Sequence, residues 1–441
     1  MIQKKKPLIF YGWIIVAISF ITLTIAYSTR YSFSVFYVAI LDEYGWTRAQ
    51  TALTFSINMI IYAALSPVAG ALLDRFGPRK VFPVAGAIMG LGMFLMSQVS
   101  AVWQLYLFFA IVAAGMVLLG YIPHACFIPE WFSLKLGTAI GIAVAGMALA
   151  NVSSVPVQYL IDNVGWRKTY LFLAVVIAGI IIPITALFQR HRARDMGLPL
   201  DGVTSDEEKR GATEVGQGQE DPRILNRAWA SIDWTLARAV KTKPFWFFFA
   251  QTFLQSIMVN IITVHSVAYI VDTGYTKMLA ASVFALLGAL AMVSFIGGII
   301  SDRIGREWAY TFGAIGVWTG IIILLLVRDT SSLWMLYLFA VLYGAGFGID
   351  RPMLMSSQAD VFKGRQLGRI MGFINLGYGI GGALGPWLAG YIFDVTGSYV
   401  VPYSIAILCS VVACGFLWLA APRKIRAVGG KLRRQPRSTT I

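Results

Sequence analysis

Residues 81–129 contain no Asp, Glu, Lys or Arg. An α-helix rises ~1.5 Å per residue, so one helix of that length would cross a bilayer core about twice over. The window therefore has to hold two helices, turning near Ser97 and Ser100. The same reading applies along the chain. Residues 7–29 and 31–41 are uncharged, with Arg30 between them, and make one long first span. Further spans are expected at 49–73, 136–161, 169–189, 244–271, 278–301 and 308–327. Another begins near Ser332 and runs through Asp350 and Arg351, and two more occupy 370–393 and 395–422. The fold class is an all-α membrane protein with twelve transmembrane helices. With 58% hydrophobic and only 13% charged residues, a water-soluble globular domain is excluded.

The polar stretch 191–243 divides the spans into six-helix halves at 1–190 and 244–422, followed by a basic tail at 423–441. The stretch reads as a cytoplasmic linker, and its end, 233–244, as a short amphipathic interfacial helix. The N-terminal run is too long for a signal-peptide core and is expected to stay as the first span. Cys126, Cys409 and Cys414 all lie in apolar runs and are expected as free thiols.

A basic turn stands at the same place in each half. Gly70-Ala-Leu-Leu-Asp74-Arg75-Phe-Gly77-Pro-Arg79-Lys80 returns in degenerate form as Gly298-Ile-Ile-Ser-Asp302-Arg303-Ile-Gly305-Arg306. The aspartates are 228 positions apart. Gly45-Trp-Thr-Arg48 matches Gly274-Tyr-Thr-Lys277, 229 positions on. Trp103-Gln-Leu-Tyr-Leu-Phe108 matches Trp334-Met-Leu-Tyr-Leu-Phe339, 231 positions on. Three ordered pairs at nearly one offset point to duplication, giving two pseudo-symmetric six-helix bundles. In the turn, Gly77 and Pro78 supply the bend, and Arg75 and Arg79 stay in the interface. Gly70 is expected to let a neighbouring helix approach, and Asp74 to cap a helix or pair with an arginine.

With both termini cytoplasmic, only Arg48, Arg167, Lys168, Lys277 and Arg328 fall outside, and Arg30 and Arg351 fall within the membrane. The rest of the 36 basic residues lie on the cytoplasmic side. Topology thus accounts for the net charge of +15 without a nucleic-acid partner.

These features resemble the major facilitator superfamily, whose best-known signature is the basic turn after the second helix. Finer ones resemble its monocarboxylate-transporter and oxalate/formate-antiporter branch. They are Tyr11-Gly-Trp13, Gly45-Trp46, Trp131-Phe132 with Gly137, Gly141 and Gly146, and Gly165-Trp-Arg167-x-x-Tyr170. Pro244-Phe-Trp246 and Gly385-Pro386-x-x-x-Gly390-x-x-x-Asp394-x-Thr-Gly397-x-Tyr399 complete the set. The chain departs from that branch in two places. Residues 278–300 lack the substrate-binding arginine usual in its eighth helix, and 370–393 lack the lysine that the oxalate/formate antiporters use.

In the resembled fold, helices 1, 4, 7 and 10 line a central cavity. Arg30 is flanked by Tyr27 and Tyr31, Tyr121 precedes His124, Asn260 precedes His265, and Asp350-Arg351-Pro352 stands in the tenth span. An intramembrane charge costs roughly 2.5–3.5 kcal/mol on the insertion scale unless paired or hydrated. Arg351 is the first choice as anion ligand, since guanidinium binds carboxylate bidentately. Its alternative is a structural ion pair. Arg30, Tyr31, Tyr121 and Asn260 are further substrate-binding candidates; a structural role is the alternative for Arg30 and plain packing for Tyr121. Asp350, His124 and His265 are proton-coupling candidates, against the alternative of hydrogen-bonded core residues. Asn58, Asn151, Asn375 and Tyr378 read as interhelical glue.

No phosphate-binding Gly-Lys-Ser/Thr loop, metal-ligand spacing or catalytic constellation is present, so no enzyme activity, cofactor or metal is expected. Two intramembrane arginines against one aspartate leave a surplus positive charge, which suits a monovalent anion. The expected function is alternating-access transport of a small organic anion, a monocarboxylate, with proton symport, by a monomer in a bacterial inner membrane. The alternatives are an exporter of amphipathic drugs or metabolites, favoured by 14% aromatic residues, and a transport-inactive sensor.

Overall fold

The computed structural model describes residues 10–132, 135–200, 224–293, 301, 303–364 and 366–425; the side chains of Asp74, Val293 and Arg351 fall outside the described set. Helices dominate the described residues, with no strand among them. Ten helical stretches are long and apolar enough to cross a membrane: Tyr11–Tyr44, Arg48–Leu73, Pro78–Met96, Val102–Glu130, Leu136–Val164, Trp166–Phe188, Lys243–Asp272, Arg306–Leu326, Thr330–Val361 and Val400–Lys424. The shorter Lys277–Leu290 and the glycine-rich Leu367–Thr396 bring the count to the expected twelve.

Glycines with positive φ end the spans in pairs that follow the duplication. Gly45 and Gly274 have φ of 61° and 96°, Gly77 and Gly305 of 74° and 109°, and Gly165 and Gly397 of 84° and 67°. An L side chain is strained in that region. At Gly77 the amide closes on Leu73 O at 2.8 Å, and Pro78 opens the next helix, whose first N–H would be unpaired anyway.

The chain forms two compact units, residues 1–32, 64–153 and 160–219, and residues 33–63, 154–159 and 220–441. In the first, Pro78–Met96 packs on Val102–Leu118, and Tyr11–Tyr31 on Leu136–Leu149. In the second, Arg306–Leu326 packs on Leu333–Val361, and Lys243–Asp272 on both Leu367–Thr396 and Val400–Ala420. The first span breaks at Ser32, where the chain passes from one unit to the other, so Phe33–Tyr44 packs on Lys243–Asp272.

The end of the linker docks on the second unit. The expected interfacial helix is a single turn, Leu236–Ala239, and Trp234 is buried against Phe362. Trp229 Nε1 donates to Val361 O at 2.8 Å, and Leu236 N to Gln366 Oε1 at 3.1 Å. Nearby, Arg306 reaches both Asp360 Oδ2 and Ser301 Oγ, and Arg423 N donates to Glu307 Oε1 at 2.9 Å.

Candidate functional site

A polar cluster lies in the second unit, at the helix ends carrying Arg48, Asp272 and Asp394. Its local origin is a capping box. Thr47 and Gln50 exchange backbone-to-side-chain hydrogen bonds of 3.2 Å and start the helix at Arg48. The first backbone N–H groups of a helix have no partner within it. Here Arg48 N and Ala49 N donate to the two oxygens of Asp394, at 2.9 and 2.8 Å. Asp394 belongs to Leu367–Thr396, so one helix caps another. Gly390, a turn earlier, makes room: a Cβ there would lie 2.8 Å from the backbone of Arg48 and Ala49.

The Arg48 side chain donates through Nη1 to Tyr399 OH at 2.6 Å and through Nη2 to Asp272 Oδ1 at 2.7 Å. Its guanidinium also lies 3.8 Å from the Phe393 ring centroid. In the repeat-related position, Lys277 pairs with Asp42 at 2.5 Å. Asp42 and Asp272 are 230 positions apart and Arg48 and Lys277 are 229, so the two ion pairs are each other's repeat images, crossed between the halves of the sequence.

Tyr399 leads inward to His265. Its hydroxyl lies 3.0 Å from His265 Nδ1, while His265 Nε2 lies 2.9 Å from Pro386 O. A carbonyl only accepts, so Nε2 carries the hydrogen and Nδ1 accepts from Tyr399. Tyr37 donates to Arg48 O at 3.2 Å, and its hydroxyl lies 3.4 Å from the same Nδ1. Burial pushes the Tyr399 phenol above its ordinary value, against the opposing pull of Arg48.

A second network surrounds Asp350, which is 2% exposed. Gln255 Nε2 donates to Asp350 Oδ2 at 3.4 Å. Tyr310 OH donates to Gln255 Oε1 at 3.1 Å, and Gln251 Nε2 to Tyr310 OH at 2.9 Å. Asp350 Oδ1 has no hydrogen-bond partner among the described residues and rests on Gly313, where a Cβ could not be accommodated.

The other sequence-derived residues are dispersed. Arg30 is 7% exposed on the last turn of Tyr11–Tyr31, and the rings of Tyr27 and Tyr31 stand 6.1 Å apart. Tyr121 is half-buried. His124 lies within the first unit, stacked on Phe82 at 4.8 Å, with Nδ1 bonded to Gly120 O at 2.8 Å. Asn260 Nδ2 donates back to Ser256 O at 2.8 Å and to Ser256 Oγ at 3.1 Å. Asp302 and the side chains of Asp74 and Arg351 lie outside the described residues. Arg75 and Arg303 are exposed, and Arg79 Nε donates to Ala186 O at 3.1 Å.

At Gly70 a Cβ would meet no described atom within 4 Å. One expectation is corrected. Asn58 does not serve as glue: both amide atoms are buried without a partner among the described residues, as is Thr54 Oγ1 one turn before. The three cysteines are free.

Arg48, Asp394 and Tyr399 stand in sequence motifs that attach no binding role to them, and Asp272 and Tyr37 stand in none. The usable signal is an acid before the turn and a base after it, in both repeats.

The family model for the Major Facilitator Superfamily matches residues 19–349 and 289–440. Human monocarboxylate transporter 2 is 27% identical over 93% of this chain and 84% of its own length. Rat monocarboxylate transporter 13 is 26% identical over 90% and 86%. Among solved structures, a bacterial homologue of the human lysosomal transporter Spinster, in an inward-facing and occupied conformation, aligns with a TM-score of 0.68. It has 14% identity and covers 93% of this chain and 97% of its own.

Proposed function

The chain belongs to the Major Facilitator Superfamily, and from that premise we propose that it moves a monocarboxylate across the cell membrane by alternating access, with a proton travelling in the same direction. It is a multi-pass membrane transporter related to monocarboxylate transporters, and not an enzyme. The observation carrying the substrate class is that relatives bearing that name align over nine-tenths of the chain. The intramembrane arginines support it, because a small carboxylate entering a low-dielectric path needs a fixed positive partner.

In this reading Arg351 and Arg30 attract and hold the anion, with Tyr31 and Tyr121 as hydroxyl donors. The anion-binding arginine usual in the eighth helix of the branch is absent, so the charge has to come from these other helices. Asp350 carries a proton within its glutamine–tyrosine network, since an ionised carboxylate buried there costs several kcal/mol unless compensated. The halves 1–190 and 244–422 rock about the pathway. Both termini face the cytoplasm of a bacterial cell, which puts Arg48 and Asp272 at the outer end. The protein works as a monomer.

The test is the melting temperature of the purified protein against monocarboxylates, dicarboxylates, sugars and lipophilic cations at two pH values. A ligand that binds only the folded state raises it by mass action, by about 2.7 kcal/mol in stability at a hundredfold excess over Kd. A monocarboxylate should stabilise, and Arg351→Gln should abolish the shift while the protein still folds. Stabilisation by lipophilic cations alone would replace this reading with the exporter.

A further inference from the structure

We propose that the Arg48 cluster is a latch on the outer end of the pathway and that a proton on His265 releases it. The proposal rests on the proton-symport reading above and adds, besides the proton carried by Asp350, a second protonation that gates the outer end.

The hydrogen-bond directions carry it. Pro386 O fixes the His265 hydrogen on Nε2, so Nδ1 presents a lone pair to Tyr399 OH. That hydroxyl spends its one hydrogen on Nδ1 and receives Arg48 Nη1 on its oxygen. The chain therefore runs one way, Arg48 to Tyr399 to His265 to Pro386. A proton arriving at Nδ1 removes the acceptor to which Tyr399 donates. Imidazolium then donates where it had accepted, and two cations compete for one phenol oxygen. The contact that weakens is Arg48 to Tyr399, beside the Arg48–Asp272 pair.

Every charged or titratable neighbour bears on the same event. Tyr269 and Asp272 lie on the helix of His265, Tyr37 on Phe33–Tyr44, and Arg48 on the next span. Asp394 faces it from Leu367–Thr396, and Tyr399 and Tyr403 from the head of Val400–Ala420. The carboxylates are already engaged: Asp272 with the Arg48 side chain, Asp394 with the backbone N–H groups of Arg48 and Ala49. A new cation at His265 thus adds its charge beside an Arg48 already paired with Asp272, and neither of these carboxylates is left unengaged to pair with it. His265 is a positioning residue: it acts through Tyr399 and Arg48, and touches no cargo.

The experiment reads opening without requiring transport. Thr54 is fully buried on the latch helix, about 9 Å along it from Arg48. In a chain with Cys126, Cys409 and Cys414 replaced by alanine, Thr54→Cys is exposed to a membrane-impermeant maleimide at pH 8 and pH 5.5. Its rate is normalised to that of a Ser331→Cys control, since position 331 is exposed. The normalised rate should rise at least tenfold at pH 5.5. His265→Gln and His265→Asn, neither of which titrates, should hold it low at both pH values, and Arg48→Gln should raise it at both. The proposal is overturned if the histidine variants keep the acid response. It is equally overturned if acid has no effect on the native latch, or if Arg48→Gln leaves Thr54→Cys protected. Carboxylate flux is measured on the same proteoliposomes. An acid-labelled protein without flux would fail the transport reading alone; proton-driven flux without the labelling response would fail the latch alone.

Discussion

Arg48 donates to Asp272 at 2.7 Å across 224 positions of sequence, with the two side chains 16% and 37% exposed. A pair half in water contributes modestly, about 1 kcal/mol or less. A double-mutant cycle with Arg48→Ala and Asp272→Ala should therefore give a small coupling in thermal stability. The effect on conformation should be larger than the effect on stability, visible as probe access at the Arg48 end.

Asp394 should matter more to the fold than Asp272. It satisfies two helix N–H groups that otherwise lack partners. Asp394→Ala should cost about 1–2 kcal/mol, the upper range for a lost cap, and Asp394→Asn less. Thermal melts of the purified variants decide this, and equal melting of Asp394→Ala and wild type would contradict it.

Gly390→Ala should destabilise by about 1–3 kcal/mol, as overpacking does. The added methyl would press on the backbone of Arg48 and Ala49, which has no rotamer to yield. Gly70→Ala, in open space inside the helix Arg48–Phe76, should instead stabilise slightly by the same melt, by about 0.5–1 kcal/mol.

Asp350→Asn should separate exchange from accumulation. If Asp350 carries the proton, the variant loses uphill uptake driven by a pH gradient but keeps counterflow of labelled monocarboxylate between equal pools. Loss of both by a folded variant would assign Asp350 to the structure of the second unit instead.

The phenol of Tyr399 gives a pH dependence at the alkaline end. Burial raises its folded value above the ordinary 10.0, so the folded state holds the proton more tightly than the unfolded state does. Its contribution is fully present below pH 10 and is lost as pH climbs from there through the folded value. Wild-type melting should fall more steeply above pH 10 than that of Tyr399→Phe.

The spans were legible because hydropathy and charge are local: residues 81–129 can hold only two helices, and the structure turns them between Met96 and Val102. The repeat was legible for a similar reason, since Gly45 and Gly274 obey the same backbone requirement. The Arg48 cluster was not. Arg48 reads as one more base after a turn, and nothing near it announces Asp394, 346 positions away. Buried histidines looked alike in sequence, yet His124 bonds within its own short helix and His265 ties three segments together. Which face of a helix meets which neighbour is decided by packing.

The crossed pairs Arg48–Asp272 and Lys277–Asp42 have the form of a contact between two identical subunits, in which residue i meets residue j and j meets i. One acid before the turn and one base after it were enough to write both bonds when the six-helix unit was copied. One base is lysine and the other arginine. Of the two, Arg48 also holds Tyr399 and the Phe393 ring, so two repeat-related contacts hold with unequal grip.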